Sequence, residues 1–237
     1  MSALRTALMS AGPMLAGASG LADLAGSGFA APLDRDPARD DAIRAMLPLV
    51  PRLGWSLRAL REAAGPNADL LFPGGPVEMV EAHSDLGDRM MEQAGQEIED
   101  TRVSRRVRAL ILSRLEQAEP DRDAVRRGLA LLSVLGNRGA ALRSLARTVD
   151  TVWHAAGDMS ADMSWYSKRA LLAGVYSTTL LYWLRAGSGP DTAAFLDRRL
   201  GSVARLGSLR RRLAGTTGHE PPPPPAVRRD VTSELPT

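Results

Sequence analysis

The chain has 237 residues and a formal net charge of +3, and it contains no cysteine. This length predicts one large domain or two small ones, and the lack of cysteine excludes disulfides, thiolate metal sites and a cysteine nucleophile. The longest apolar run, over residues 170–184, is interrupted by hydroxyl side chains and is shorter than the ~20 residues that span a bilayer. The sequence therefore indicates a protein that is soluble or peripheral to a membrane.

The two ends of the chain differ in composition from the middle. Residues 1–35 are rich in Ala, Gly, Ser and Met and predict a flexible leader, because they lack the compact apolar region of a signal peptide. Residues 214–237 contain consecutive prolines from Pro221 to Pro225 and predict a disordered tail. The folded part is expected between these two segments.

The middle of the chain has the periodicity of helices. Apolar residues recur at three- and four-residue spacing, and no window alternates with period two over the length of a strand. Asp36 followed by Pro37 is typical of a helix start. We therefore predict an all-α protein with short connections. The helices are expected near residues 37–50, 55–64, 76–98, 103–119, 121–135, 138–156, 165–185 and 191–213, with a short element at 66–72.

The first helices resemble a known DNA-binding unit. The strings GWSLRALREAAG, at residues 54–65, and LFPGGPVEMV, at 71–80, resemble the helix-turn-helix of TetR-type transcriptional regulators. The resemblance implies a TetR-like helical fold. It has a small, degenerate helix-turn-helix unit at residues 36–82 and a larger helical domain for ligand binding and dimerisation at residues 83–213.

The chemistry of that unit argues against nucleic acid as a partner. Base edges in the major groove are contacted by Arg, Lys, Asn or Gln, and phosphates by cations. Residues 63–82 contain neither Lys nor Arg, whereas Asp69, Glu78 and Glu81 are acidic, and Asn67 is the one candidate for a base contact. A TetR-type DNA-binding regulator that responds to a small apolar ligand is therefore the alternative function.

The C-terminal half carries a more specific resemblance. The strings WYSKRALLAGVYSTTLLYWL and AAFLDRRL, with DAVRRGLALLSVLGN and the connector AGDMSADMSWY before them, are similar to the lipid-binding accessory proteins of ubiquinone (coenzyme Q) biosynthesis. The similarity covers roughly residues 40–212. It implies a TetR-like homodimer that binds an isoprenoid quinone intermediate and presents it to a late-pathway hydroxylase. It also implies a protein without enzymatic activity and without a cofactor.

The resemblance implies a surface for the hydroxylase at the start of the 165–185 helix. Trp165, Tyr166, Lys168 and Arg169 fall where the family contacts its partner. Trp and Arg contribute strongly to binding at protein interfaces. The alternative for Trp165 is that it packs at the start of its helix.

A lipid pocket is expected from the apolar faces of the helices between residues 129 and 184, because apolar walls with a few hydroxyls suit an isoprenoid tail with a polar head. Each candidate taken singly also fits an ordinary core position. The predicted lipid-binding residues are Val134, Leu142, Leu145, Val149, Val152, Leu172, Val175, Tyr176, Thr179 and Leu180.

The sequence offers no catalytic or metal site. His83, His154 and His219 lie far apart, and no Glu-x-x-His pair is present. There is also no nucleophile elbow and no phosphate-binding loop. We therefore predict that the protein is not an enzyme.

The sequence also bears on localisation. We expect a cytoplasmic protein, peripheral at the inner face of the membrane, or a mitochondrial one in a eukaryote. The resemblance implies that mitochondrial members of that family have a further amphipathic helix at the position where this chain has Gly, Thr and Pro. Arg210–Arg212 is then the remaining contact for anionic lipid. The alternative is a solvated helix end favoured by the helix dipole.

Overall fold

The fold follows from a computed structural model, in which residues 33, 35–157 and 164–215 are described, without the side chains of residues 164–167, 204 and 206–215. Most of the predicted leader, the tail from residue 216 and residues 158–163 lie outside the described residues. The chain divides into two compact units, residues 1–200 and 201–237. The core described below lies in the first.

Every regular element among the described residues is helical, which confirms the all-α prediction. Three 3-10 turns lie at Leu47–Leu49, Ala68–Leu71 and Leu135–Asn137. The α-helices are α1 (Pro37–Met46), α2 (Val50–Leu53), α3 (Leu57–Ala64), α4 (Gly75–Gly95), α5 (Val103–Gln117), α6 (Arg122–Leu132), α7 (Arg138–Ala155), α8 (Ser164–Ala186) and α9 (Pro190–Gly215). A short N-terminal set followed by longer helices is the TetR-like layout.

The first predicted helix, 37–50, is divided in the structure. Pro48 and Pro51 have no backbone N–H, so neither can donate to the carbonyl four residues before it. The chain forms α1, a 3-10 turn and α2 in place of one continuous helix. The predicted start is confirmed, because Asp36 Oδ1 accepts a hydrogen bond from the Ala38 N–H at 2.9 Å.

Helix α6, unlike α1, begins without a side-chain cap. The Asp121 side chain accepts no capping bond, and the backbone there has φ −105° and ψ 20°, outside the extended conformation that a capping side chain needs. The helix therefore begins at Arg122 without a hydrogen bond from a capping side chain to its first backbone N–H groups. Ser56, by contrast, does cap α3, through a hydrogen bond from the Ala59 N–H at 3.2 Å.

One core joins the N-terminal helices to the rest. Met46, Leu60 and Met79 are each 0% exposed and belong to a cluster that also contains residues of α6 and α7. Trp55 is buried between α2 and α3, and its Nε1 donates to the Ala124 carbonyl of α6 at 2.9 Å. The boundary predicted between residues 82 and 83 falls within α4, so the division into two domains stays a prediction.

The segment that resembles a recognition helix is one 3-10 turn, Ala68–Leu71. It is held against α1 by Arg39, whose Nη1 donates to the Leu71 carbonyl at 2.7 Å. The same guanidinium binds Glu78 at 2.6 Å and lies 4.6 Å from the centroid of the Phe72 ring. This segment is therefore fastened to the body of the protein and lacks the length of a groove-reading helix.

The long helices α4, α5, α7 and α8 pack on one another: α4 lies against α5 and α7, and α8 lies against α7 and α5. At Gly95, a Cβ would lie 2.7 Å from Leu110 Cδ2, so α4 and α5 approach closely because that position has no side chain. Among the described residues, no helix combines the length and the apolar character needed to cross a membrane.

Candidate functional site

The residues predicted to bind lipid are concentrated on α7 and α8, where most of them are buried. Leu142, Leu145 and Leu180 are partly exposed. Val134 is 55% exposed, and it precedes a 3-10 turn outside the helices. The buried members are Val149, Val152, Leu172, Val175, Tyr176 and Thr179. The structure thus brings α7 and α8 together and leaves Val134 on the surface; the assignment of these residues to a lipid stays a prediction.

Helix α8 has apolar residues on all of its faces. Leu172 is 4% exposed, whereas the adjacent Leu171 is 45% exposed. The hydroxyl of Thr179, which the sequence suggested as a polar contact in a pocket, donates to the Val175 carbonyl at 2.7 Å. That hydroxyl is therefore satisfied by its own helix.

A charged pair lies in the core beside these apolar residues. Arg114 of α5 donates from Nε to Asp88 Oδ1 at 2.7 Å and from Nη2 to the Ser84 carbonyl at 3.0 Å. Thr148 of α7 donates to the other oxygen of Asp88 at 2.9 Å. The side chains of Asp88 and Arg114 are 4% and 10% exposed. Three helices are therefore joined through one carboxylate.

Burial sets the direction of the pKa shift for Asp88, Tyr176 and His83 in and beside this cluster. It raises the pKa of Asp88, against the opposite effects of Arg114 and Thr148. Burial also raises the pKa of the Tyr176 phenol, which lies close enough to Arg114 and Asp88 to feel their charges. His83 has its pKa lowered to about 4 by burial and by the positive charge of Arg114. A buried group is costly to charge without a partner.

The cluster does not resemble a reaction centre. The carboxylate of Asp88 and two of the nitrogens of Arg114 are engaged in internal hydrogen bonds. In the part of the chain that the structure describes, no three His, Asp, Glu or Cys side chains are grouped to hold a metal ion. Sequence reasoning missed this cluster, because a single polar residue on a helix gives no signal that it is buried.

The predicted partner-binding residues lie at the start of α8. Trp165 and Tyr166 are in its first turn, and their side chains lie outside the described residues. Lys168 is partly buried. Arg169 forms an ion pair through Nε with Asp150 of α7, and its side chain is 20% exposed. The structure thus places Lys168 and Arg169 near one end of the α7–α8 pair.

A second polar cluster, which the sequence did not reveal, shapes the turn between α8 and α9. Glu119 accepts hydrogen bonds at 2.8 Å from Trp183 Nε1, from Ser188 N and from Ser188 Oγ. Burial opposes ionisation of Glu119, but the bonds from Ser188 and Trp183 outweigh it and lower the pKa. The two glycines Gly187 and Gly189 mark the turn in the sequence, and Gly187 has φ +80°, but they do not indicate the polar contacts of Glu119.

A small cleft lies beside this turn, with a volume of about 260 Å³. It is bordered by α5 on one side and by the start of α9 on the other. Its lining residues are Leu112, Leu115, Glu116, Ser188, Gly189, Pro190, Thr192 and Ala193. None of the residues predicted to bind lipid belongs to this lining.

The fold and these sites define a class: an all-α protein of TetR-like layout, with a shortened recognition element and an apolar helix pair in its larger part. Comparison with known proteins then identifies a family within this class. The model of the COQ9 family matches residues 139–207, which comprise α7 from its second residue, α8 and the larger part of α9.

Whole proteins show the same similarity. The chain is 31% identical over 192 residues to the mitochondrial ubiquinone biosynthesis protein COQ9 of Xenopus tropicalis, and the alignment covers 73% of this chain and 60% of that protein. The human protein of the same name is 28% identical over 191 residues, with 73% and 60% covered.

The fission yeast relative is covered more fully. The mitochondrial ubiquinone biosynthesis protein coq9 of Schizosaccharomyces pombe is 31% identical over 173 residues, which are 68% of each chain. The chain belongs to the COQ9 family. It spans about 60% of the length of the frog and human proteins.

Proposed function

We propose that this protein is an accessory protein of ubiquinone biosynthesis that binds an isoprenoid quinone intermediate and presents it to a late-pathway hydroxylase. The observation that carries the proposal is the position of the family match. It falls on α7 and α8 and contains every predicted lipid-binding residue except Val134. The relatives that match the chain are named as ubiquinone biosynthesis proteins.

The physical support comes from the composition of α8. A helix that is apolar on all faces is stabilised when it is covered on every side. The body of the protein covers the face with Leu172 and Val175, which are each 4% exposed, whereas Leu171 remains 45% exposed. An isoprenoid chain is a suitable cover, because burial of apolar surface contributes about 25 cal/mol per Å².

The hydroxylase is expected to meet the first turns of α8. Trp165 and Tyr166 are followed by two cations, Lys168 and Arg169, and this combination of residue types is common where proteins bind one another. A pull-down with the hydroxylase of the same organism tests the surface. Undiminished binding by a folded double variant, Trp165→Ala with Tyr166→Ala, would remove the assignment.

Two further properties belong to the same proposal. We propose a homodimer, as for the TetR-like layout in general, and a peripheral, weak contact with the membrane surface. Sedimentation of the purified protein measures the first, and flotation with anionic vesicles measures the second. A monomer at micromolar concentration would contradict the dimer, and a protein that remains at the bottom of the gradient would contradict the membrane contact.

The alternative function, a DNA-binding regulator, is not favoured. The segment in the place of a recognition helix is one 3-10 turn, and its Asp69 is paired with Arg61 at 2.8 Å. A mobility shift on DNA at low salt tests this. A regulator would bind with a steep salt dependence, and we expect no shift.

The decisive experiment is mass spectrometry of lipids extracted from protein that was purified from a ubiquinone-producing host. We expect an isoprenoid quinone or one of its precursors at close to one molecule per protomer. A protein that carries none, and takes up none when it is offered, would refute the proposed lipid function.

A matched pair of variants localises the lipid. Leu180→Trp enlarges a partly buried side chain of α8 and should displace the lipid, whereas Leu70→Trp adds the same ring at a position that is 80% exposed. Circular dichroism confirms that both variants fold. If Leu180→Trp retains the lipid of the wild type, the site lies elsewhere.

A further inference from the structure

The six residues between α7 and α8 that the structure leaves undescribed, 158–163, join two helix ends that contact the body differently. The end of α7 is bound by Arg106 of α5. The Nη2 of Arg106 donates to the Ala155 carbonyl at 2.8 Å and to the Gly95 carbonyl at 3.1 Å. Its Nη1 donates to Ile98 O at 2.5 Å. One guanidinium thus fixes the carbonyl ends of α4 and α7 together.

The start of α8 is bound on the other side of that segment. Arg169 Nε donates to Asp150 Oδ1 of α7, and the two residues are 19 positions apart in the chain. Their side chains are 20% and 33% exposed, so the pair is largely shielded from solvent. Salt screens a shielded ion pair less than an exposed one.

The position of the pair gives it a specific effect. Arg169 lies one helical turn after Trp165, and the amides of residues 168–172 donate to the carbonyls of the first turn. A contact on Arg169 therefore restrains the rotation of this end of α8 about its axis and its movement along α7. The first turn carries the residues that are proposed to meet the hydroxylase.

We propose that the Asp150–Arg169 ion pair positions the docking surface for the hydroxylase, by holding the first turn of α8 on α7. Asp150 and Arg169 are then positioning residues: they act through the backbone of residues 164–168. This inference rests on the proposed function. The sequence led us to expect that Arg169 contacts the hydroxylase directly. Here Arg169 acts instead by binding Asp150, and both residues are needed to position the first turn of α8.

Charge reversal tests the pair. The variants are Asp150→Arg, Arg169→Asp and the double variant that carries both changes, with Arg58→Asp as a control for the same change of charge at an exposed position of α3. The conservative variant Arg169→Lys keeps the charge and loses the Nε–H that donates to Asp150. Thermal unfolding followed by circular dichroism establishes that each variant folds.

Two readouts are measured on the full chain. Hydrogen exchange of the amides of residues 168–172 needs no partner, and it should quicken by about tenfold in each single reversal and return in the double variant. The dissociation constant for the hydroxylase should rise by about tenfold in each single reversal and recover in the double variant. Arg58→Asp should change neither.

Three outcomes would overturn the proposal or part of it. Equal exchange rates at residues 168–172 in all variants would show that the pair does not hold the turn. Weaker binding by Arg169→Asp alone, without recovery in the double variant, would show that Arg169 contacts the partner directly. A wild-type protein that does not bind the hydroxylase would refute the docking surface, and the exchange rates would still decide whether the pair restrains α8.

Discussion

Arg114 brings a permanent positive charge into the core, where Asp88 is its ionic partner at 2.7 Å. In Asp88→Ala, the guanidinium stays buried without that partner, and the free energy of unfolding should fall by about 3–5 kcal/mol. Urea unfolding measures the loss. Asp41→Ala is the control, because the Asp41 side chain is 78% exposed and its removal should change stability by less than about 0.5 kcal/mol. Similar losses of stability in the two variants would contradict the role of Asp88 as the partner of the buried Arg114.

The stability of the protein should depend on pH through His83. The pKa of His83 is lowered to about 4 in the folded protein, below its ordinary value near 6.5. The unfolded chain therefore binds a proton more readily, and stability should fall as the pH falls from about 6.5 to 4, by at most about 3 kcal/mol.

The pH prediction is checked by comparison of variants, because carboxylates titrate in the same range. The free energy of unfolding is measured against pH for the wild type, His83→Gln and His154→Gln. The slope should be smaller in His83→Gln alone, since His154 is exposed. The same slope in all three proteins would contradict the lowered pKa of His83.

At the scale of elements, the turn between α8 and α9 depends on Glu119. In Glu119→Ala, the N–H and hydroxyl of Ser188 and the indole N–H of Trp183 lose their shared acceptor. The melting temperature should fall, with a loss of about 1–3 kcal/mol, and the Ser188 amide should exchange faster. Glu116→Ala, on the exposed side of α5, is the control. An unchanged Ser188 amide would show that the turn is held by other contacts.

The helices could be predicted from the sequence because their signals are local. Asp36 before Pro37 begins α1, and α8 and α9 are separated near the gap expected between residues 185 and 191. The contacts among helices could not be predicted in this way. Asp88 and Thr148 are 60 residues apart, and Arg106 meets Ala155 across 49 residues. Residues of these types on a helix are ordinarily solvated, so nothing near them in the chain shows that they are buried.

The candidate site was predictable to a smaller extent. The apolar faces of the predicted helices suggested that α7 and α8 pack together. Six of the ten candidates for lipid binding are buried on these two helices. The same spacing cannot separate a wall of a pocket from ordinary core, because both consist of apolar side chains. Val134 was included because it continues an apolar run, but the chain leaves α6 at Leu132 and exposes it.

For the molecule as a whole, the shared core predicts that α1 to α4 and α6 unfold together. Met46 is 0% exposed in a cluster that includes Met79 of α4 and Ala124 of α6. Met46→Ala should lower the free energy of unfolding by about 2–5 kcal/mol. Circular dichroism and tryptophan fluorescence should then report the same shifted midpoint.

Leu70→Ala, at a position that is 80% exposed, should leave the midpoint unchanged. Two separate transitions in Met46→Ala, with one near the wild-type midpoint, would instead support a division into two domains at residues 82 and 83.

The network of Asp88, Arg114 and Thr148 has a consequence for the uniqueness of the fold. Smooth apolar helices can slide past one another between arrangements of nearly equal energy, which leaves a chain with several competing states. A shift of α5 by one residue would carry the guanidinium away from its carboxylate into apolar surroundings. The network therefore penalises misregistered packings, and a core with leucine and valine in these positions would lose that discrimination while keeping its apolar contacts.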